Sequence, residues 1–281
     1  MKPFIIVGMP RTGSTLLLRA LQQHPDIQAY GELFHWLEAE RMAAYHVIHL
    51  KSAAIGFDTG TGNALEFLRE WVWGQTNAHF KAVGFKIFAE HAVENSSPDF
   101  FQSLLQEFPG LHVIHIQRPN YLGVFVSWLM AQQTGEWFIP SDSVSVRGSD
   151  KTISPAPGEA DAFFAKMESA DRFFADTFLG DSYLPIFYED LSRNLQETCD
   201  QVFQFLGVGA SPVTPLIRKQ IERGIPEIIG NYRQLSEHFS GTKYSSFFHA
   251  HSPASTEWVW SNAATSRYTM NYRILPYDIK K

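Results

Sequence analysis

With 281 residues, 44% of them apolar and 14% aromatic, the chain can bury a sizeable core and is too apolar to stay disordered. A net charge of −6 excludes a general nucleic-acid binder, which needs a basic stripe to displace counterions, so any anion site must be local. The single cysteine, Cys199, excludes an internal disulfide and a cysteine-rich zinc cluster.

The apolar run 4-FIIV-7 predicts a first strand, 8-GMPRTGST-15 a glycine-containing turn and 16-LLLRALQQH-24 a helix. Pro and Gly in 24-HPDIQAYGELF-34 predict a short extended return over the top of a sheet. Residues 63 to 75 show helical spacing at Leu65, Leu68, Trp71 and Val72. A buried strand at 82-AVGFKIF-88, an amphipathic helix over 98 to 108 opened by Pro98, a strand at 111-LHVIHIQ-117 and a helix over 120 to 134 follow. The Ser-, Pro- and Gly-rich stretch 139 to 158 sustains neither period and is expected to be a mobile loop.

Next come a helix over 159 to 179 and 183-YLPIFYEDL-191, which reads as a strand with an acidic end. A helix over 194 to 206, closed by Gly207, should bury Cys199 as packing. A last helix covers 227 to 238 before an aromatic-rich tail at 244 to 281. Strand and helix alternate, which predicts a three-layer α/β fold with a central parallel sheet and helices on both faces. One domain over 1 to 281 is expected, with an insertion at 36 to 80. No stretch approaches the roughly 18 apolar residues of a membrane span, and the N-terminal run is too short for a signal-peptide core. The expected location is the cytoplasm.

The turn at 8 to 15 carries the first chemical signal. A phosphate loop of the nucleotide triphosphatase kind reads GxxxxGK[ST]; here Gly8 and Gly13 keep the spacing, but Ser14 stands where the lysine belongs. Gly13 lets backbone approach an anion, the helix start offers unpaired N–H groups, Thr12, Ser14 and Thr15 add hydroxyls and Arg11 adds charge. An ordinary glycine-containing turn is the competing reading. Arg118 leaves the end of strand 111 to 117, where open parallel sheets bind ligands, and Ser127 lies nine residues on. A forked cation and a hydroxyl suit a second phosphate. That strand ends Gln117-Arg118-Pro119, without the acid that would manage Mg²⁺ in an ATP enzyme. His91, His112 and His115 lack metal-ligand spacing and are expected in core or surface, so no metal is expected.

These segments resemble the sulfotransferases that use 3′-phosphoadenosine 5′-phosphosulfate (PAPS). Arg11 to Thr15 match that family's [RK]-[ST]-G-[ST]-[ST] loop, and Arg118 with Ser127 match its second motif. The motifs 188-YEDL-191, 205-FLG-207 and 231-NYRQL-235 extend the likeness from residue 3 to about residue 240. The segments 84-GFKIF-88 and 127-SWLMAQQTGEW-137 look most like the bacterial carbohydrate enzymes of the trehalose and nodulation-factor type.

The resemblance implies that Arg11, Thr12, Gly13, Ser14 and Thr15 hold the 5′-phosphosulfate of PAPS and that Arg118 and Ser127 hold its 3′-phosphate. It implies sulfuryl transfer to a hydroxyl acceptor, a carbohydrate or glycoconjugate, with no metal required. In 30-YGELF-34 it places Glu32 as the base, with His35 as the alternative. Leu33 departs from the Pro that the family often carries after this Glu. Lys86 sits in an apolar strand, where an ammonium is costly unless it reaches an anion; the resemblance gives it a role in fixing the base or the sulfate. Two competing readings are a small-molecule kinase with a degenerate phosphate loop and a non-catalytic nucleotide-binding protein.

Overall fold

Strand β1, Lys2–Gly8, carries apolar side chains on both faces, and that places it in the middle of the fold. The computed structural model describes residues 1–34, 64–89, 99–143, 150–220 and 223–249, and Met1–His249 form one compact unit. Around β1 stand β2 (Ile27–Glu32), β3 (Ala82–Phe88), β4 (His112–Gln117) and β6 (Tyr183–Phe187), in the order β2-β3-β1-β4-β6 with every neighbouring pair parallel. A short β5, Ile139–Pro140, pairs antiparallel with β7, Ile217–Arg218, as a separate two-stranded ribbon.

The period-2 alternation of β1 separates two cores. Phe4 and Ile6 face α1 (Ser14–Leu21) and α7 (Leu195–Leu206), whose Leu17, Leu21, Cys199, Val202 and Phe203 are buried with them. Ile5 and Val7 face the opposite way, onto α3 (Phe100–Glu107) and α5 (Pro157–Thr177) through Phe101, Leu104 and Phe174. Each of these large side chains contributes about 1.5–3 kcal/mol on leaving water. The result is the expected three-layer α/β sheet. The chain passes from β3 across β1 to β4, so the strand order reverses at β1, and the crevice beyond its carboxyl end is where such sheets bind ligands.

Three elements differ from their sequence reading. The strand expected over 183 to 191 stops at Phe187, and Tyr188–Arg193 form helix α6; Glu189 and Asp190 in its first turn favour the positive end of a helix. The helix expected over 227 to 238 is broken into α8 (Ile225–Ile228) and α9 (Tyr232–His238). Between them Ile153 bridges Ile229, and a Cβ at Gly230 would lie 2.7 Å from Ser154 Oγ, a close approach that a continuous helix cannot make. Within 63 to 75 the helix α2, Ala64–Phe67, passes into a π-helical turn at Leu68–Val72.

Of the stretch 139 to 158, residues 139 and 140 belong to β5 and Ile153 to the bridge, whereas 144–149 lie outside the described residues. So do 36–63 of the expected insertion and 250–281 of the tail. Helix α4, Tyr121–Thr134, starts behind Asn120, whose side chain accepts from Gly123 N, and ends at Gly135 in the left-handed region.

Candidate active site

Residues 8 to 15 leave β1 at the carboxyl edge of the sheet and turn directly into α1. Gly13 caps that helix at φ 91, in the left-handed region that glycine adopts without steric cost. A Cβ there would also stand 2.5 Å from Tyr188 Cδ2, so the ring of α6 seals the outside of the loop. Arg11 adopts φ 70, the one non-glycine residue with positive φ among the described residues. The first N–H groups of α1 have no acceptor within the helix and lie at its positive end. Thr12 is fully buried and its hydroxyl donates to Met9 O at 2.7 Å, so it braces the turn from inside. Ser14 is buried as well.

On the β2 side of the loop, Glu32 stands opposite Lys86 in the parallel pairing of β2 and β3, just past a register shift at Tyr30. Lys86 Nζ lies 2.7 Å from Glu32 Oε1 and donates to Thr15 Oγ1 at 3.1 Å, with the Phe88 ring 5.1 Å away. Lys86 is 5% exposed and Glu32 19% exposed, so the ammonium is withdrawn from water and the carboxylate keeps a solvent-facing part. The lysine of the apolar strand thus reaches an anion.

On the β4 side, Arg118 NH1 donates to Arg11 O at 3.3 Å, and its guanidinium lies over the Tyr188 ring at 4.2 Å. Gly123 makes room for it on α4, since a Cβ would come within 2.9 Å of Arg118 NH2. Glu189 Oε1 is 3.9 Å from Arg118 Nε, beyond hydrogen-bond reach, and Arg118 Nε and Glu189 Oε2 are both buried without a hydrogen-bond partner. The Arg11 side chain donates from Nε to Ser127 Oγ at 3.0 Å, from NH1 to Trp137 O and from NH2 to Gln220 Oε1 at 2.5 Å. Gln220 Nε2 in turn donates to Glu136 O at 2.8 Å.

The electrostatics follow from these partners. Burial, and then the neighbouring Arg118, push Arg11 down to about 10, against a smaller opposing effect of Tyr188. Burial likewise lowers Arg118, with Tyr188 and Glu189 opposing. Burial raises Glu189, the nearest acid to the pair. Arg11 has only neutral acceptors among the described residues, so two adjacent guanidinium groups share one poorly placed carboxylate. A cation left without a counter-charge in a partly dry crevice is costly unless an anion completes it. The orphaned Arg118 Nε and the helix N-terminus beside it fit phosphate or sulfate oxygens.

The structure therefore brings together Arg11, Thr12, Gly13, Ser14, Thr15, Glu32, Lys86, Arg118 and Ser127 at one edge of the sheet. The loop and the Arg118–Ser127 pair are joined directly: Arg118 donates to the Arg11 carbonyl, and Ser127 accepts from the Arg11 side chain. His35 and His91 lie outside the described residues. His115 is buried away from the loop, sharing a 2.6 Å hydrogen bond with Tyr183 OH, and His112 bonds Gly110 O near the opposite strand end. Cys199 is buried in the α7 core. Among the described residues no group of three or more His, Cys, Asp or Glu side chains could hold a metal ion. Sequence reading missed Tyr188 as a wall of the loop, and Gln220, for which no sequence signal existed because its contact is 209 residues away in the chain.

A central strand opening into a glycine-hinged helix start, with two half-buried guanidinium groups and one imperfectly placed carboxylate beside it, defines a phosphate-loop-type α/β fold. The chain belongs to the sulfotransferase family, whose model matches residues 3–212. It is thus an enzyme of sulfuryl transfer. Nodulation protein H of Rhizobium tropici is 29% identical over 257 residues, 88% of this chain and 93% of that one. Nodulation protein H of Rhizobium meliloti (strain 1021) is 28% identical over 262 residues, 88% of this chain and 95% of that one. Among solved structures, a sulfotransferase from Alicyclobacillus acidocaldarius is 17% identical, covers 85% of this chain and 92% of its own, and superposes with a TM-score of 0.47. No helix among the described residues is long and apolar enough to cross a membrane.

Proposed function

We propose that the enzyme moves a sulfuryl group from PAPS to a hydroxyl of a carbohydrate or glycoconjugate, in the cytoplasm and without a metal ion. The observation that carries this reading is the Arg11–Arg118 pair: two half-buried arginines in contact through the Arg11 carbonyl, one of them with neutral acceptors only. PAPS supplies an activated sulfuryl group together with two separate phosphate charges.

Arg11 and the N–H groups at the start of α1 hold the 5′-phosphosulfate, and the same preorganised donors face the charge that grows on the leaving phosphate. Arg118 and Ser127 hold the 3′-phosphate. Glu32 takes the proton of the acceptor hydroxyl as its oxygen bonds to sulfur and the bond from sulfur to the phosphate oxygen breaks. Lys86 keeps Glu32 in place and ties it to Thr15 of the loop. His35 is the alternative base. Support for a sugar-bearing acceptor comes from the likeness of 84-GFKIF-88 and 127-SWLMAQQTGEW-137 to bacterial carbohydrate enzymes, and from the similarity to the two rhizobial nodulation proteins.

The test is incubation with PAPS carrying labelled sulfate and a panel of oligosaccharides, in chelator. Labelled sugar product supports the reading. Transfer only to non-sugar acceptors overturns the acceptor class, and activity confined to ATP with Mg²⁺ overturns the donor.

A further inference from the structure

We infer that Gln220 is a positioning residue for Arg11, orienting its guanidinium without neutralising it and thereby setting the strength of donor binding; this rests on the donor site proposed above. Arg11 has five N–H donors on a long side chain whose rotamer freedom must be removed before it can act as a fixed cation. Its backbone is held by the loop at φ 70, but its head is held by three acceptors from three separate segments. Ser127 Oγ comes from α4, the Trp137 carbonyl from the turn that follows α4, and Gln220 Oε1 from the segment just past β7.

Among these, the Trp137 carbonyl is main chain and Ser127 is assigned to the ligand itself, which leaves Gln220 as the side chain that acts through Arg11 alone. Its orientation is forced. The amide N–H group donates to Glu136 O at 2.8 Å, so the amide oxygen is the end turned to Arg11. A carboxylate at this position could accept from Arg11 too, but it would cancel the charge that the phosphosulfate needs and would lose the donor to Glu136 O. An amide fixes direction and leaves the cation, together with the remaining guanidinium hydrogens, available. The same residue ties the β5–β7 ribbon region to the loop, so the cation is set by a part of the chain remote from it in sequence.

The experiment is calorimetric titration of adenosine 3′,5′-bisphosphate into the full chain and into Gln220→Ala, Gln220→Glu, Arg11→Ala and the Arg11→Ala/Gln220→Ala double variant, each first shown to keep its thermal unfolding transition. Gln220→Ala should weaken binding by about tenfold, the scale of one hydrogen bond to a charged group. Gln220→Glu should weaken it further. In the Arg11→Ala background, removing Gln220 should change nothing, because its effect passes through Arg11. In turnover, the donor KM should rise while the acceptor KM stays level.

A Gln220→Ala protein that binds like the parent overturns the inference. An equal loss with and without Arg11 also overturns it, since Gln220 would then merely tie the ribbon to the end of α4. A parent that fails to bind the bisphosphate overturns the donor reading itself, and the inference falls with it.

Discussion

Lys86 Nζ stands 2.7 Å from Glu32 Oε1 on the adjacent strand and 3.1 Å from Thr15 Oγ1 on α1, so one buried ammonium joins the proposed base to the glycine loop that opens α1. Parallel pairing places Ile6 of β1 and Glu32 of β2 on either side of Lys86, and the register shift at Tyr30 brings Glu32 level with it. Glu32 and Thr15 are thereby both tied to one side chain of the central sheet.

Glu32→Gln keeps the size and the hydrogen bonding of the side chain while removing its ability to take a proton. Turnover should fall by roughly 10² to 10⁴, with affinity for adenosine 3′,5′-bisphosphate within a few-fold of the parent. Steady-state kinetics and nucleotide titration check both halves. Parent-like turnover moves the base to His35, and lost nucleotide binding makes Glu32 structural.

Lys86→Met preserves the length and apolar body of the side chain but removes the ammonium that contacts Glu32 and donates to Thr15. Urea unfolding should show a loss of about 1–3 kcal/mol, the scale for a polar group stripped of its partner. Turnover per folded molecule should fall as well, because the carboxylate is no longer fixed. A stable variant with full turnover would show that the contact carries neither role.

Much of this was legible in the sequence, and the reason differs by residue. The apolar runs of β1, β3 and β4 are buried on both faces, so their strand character shows without tertiary knowledge, and Gly13 marks the turn because glycine takes its left-handed backbone without steric cost. Lys86 stood out because an ammonium in such a run needs an anion. What stayed hidden is long-range. Gln220 reads as an ordinary polar residue until the fold brings it to Arg11, and Tyr188 reads as the end of a strand until acidic side chains at 189 and 190 start a helix there. The joining of Arg11 to Ser127 also depends on where α4 leans over the loop, which no local spacing encodes.

Asp171 on α5 should be a stability residue with no part in the chemistry. Its Oδ2 accepts from Tyr121 OH at 2.9 Å and its Oδ1 lies 3.4 Å from His115 Nε2, in a core where His115 is fully buried. Burial, and then Asp171, raise both Tyr121 and Tyr183, so the two phenols remain protonated donors throughout the working pH range. Asp171→Ala strips the buried Tyr121 hydroxyl of its acceptor and removes the carboxylate beside His115, and should cost about 1–3 kcal/mol in urea unfolding. Turnover at a temperature where the variant is folded should match the parent.

Cys199 should be inert in the native protein. Burial, with Asp200 second, pushes its thiol up to about 12 from 9.0, which leaves a thiolate fraction on the order of 10⁻⁴ at pH 8. Alkylation at that pH should be negligible until denaturant is added. The linkage has a definite sign: the folded state holds this proton more tightly, so between pH 9.0 and about 12 unfolding releases it and stability falls as pH rises. Cys199→Val should flatten that slope; rapid native-state labelling would contradict the burial.

The central claim is that Arg118 and Ser127 serve a 3′-phosphate while the loop serves a 5′-phosphate, and the most direct test is nucleotide selectivity in the presence of chelator. Calorimetric titration of the parent should give tighter binding of adenosine 3′,5′-bisphosphate than of adenosine 5′-monophosphate, ADP or ATP. Arg118→Ala should weaken the bisphosphate by about 1.5–3 kcal/mol while changing adenosine 5′-monophosphate little. Equal weakening of the two adenosine ligands, or a parent that prefers ATP and needs Mg²⁺ to bind it, would contradict the account.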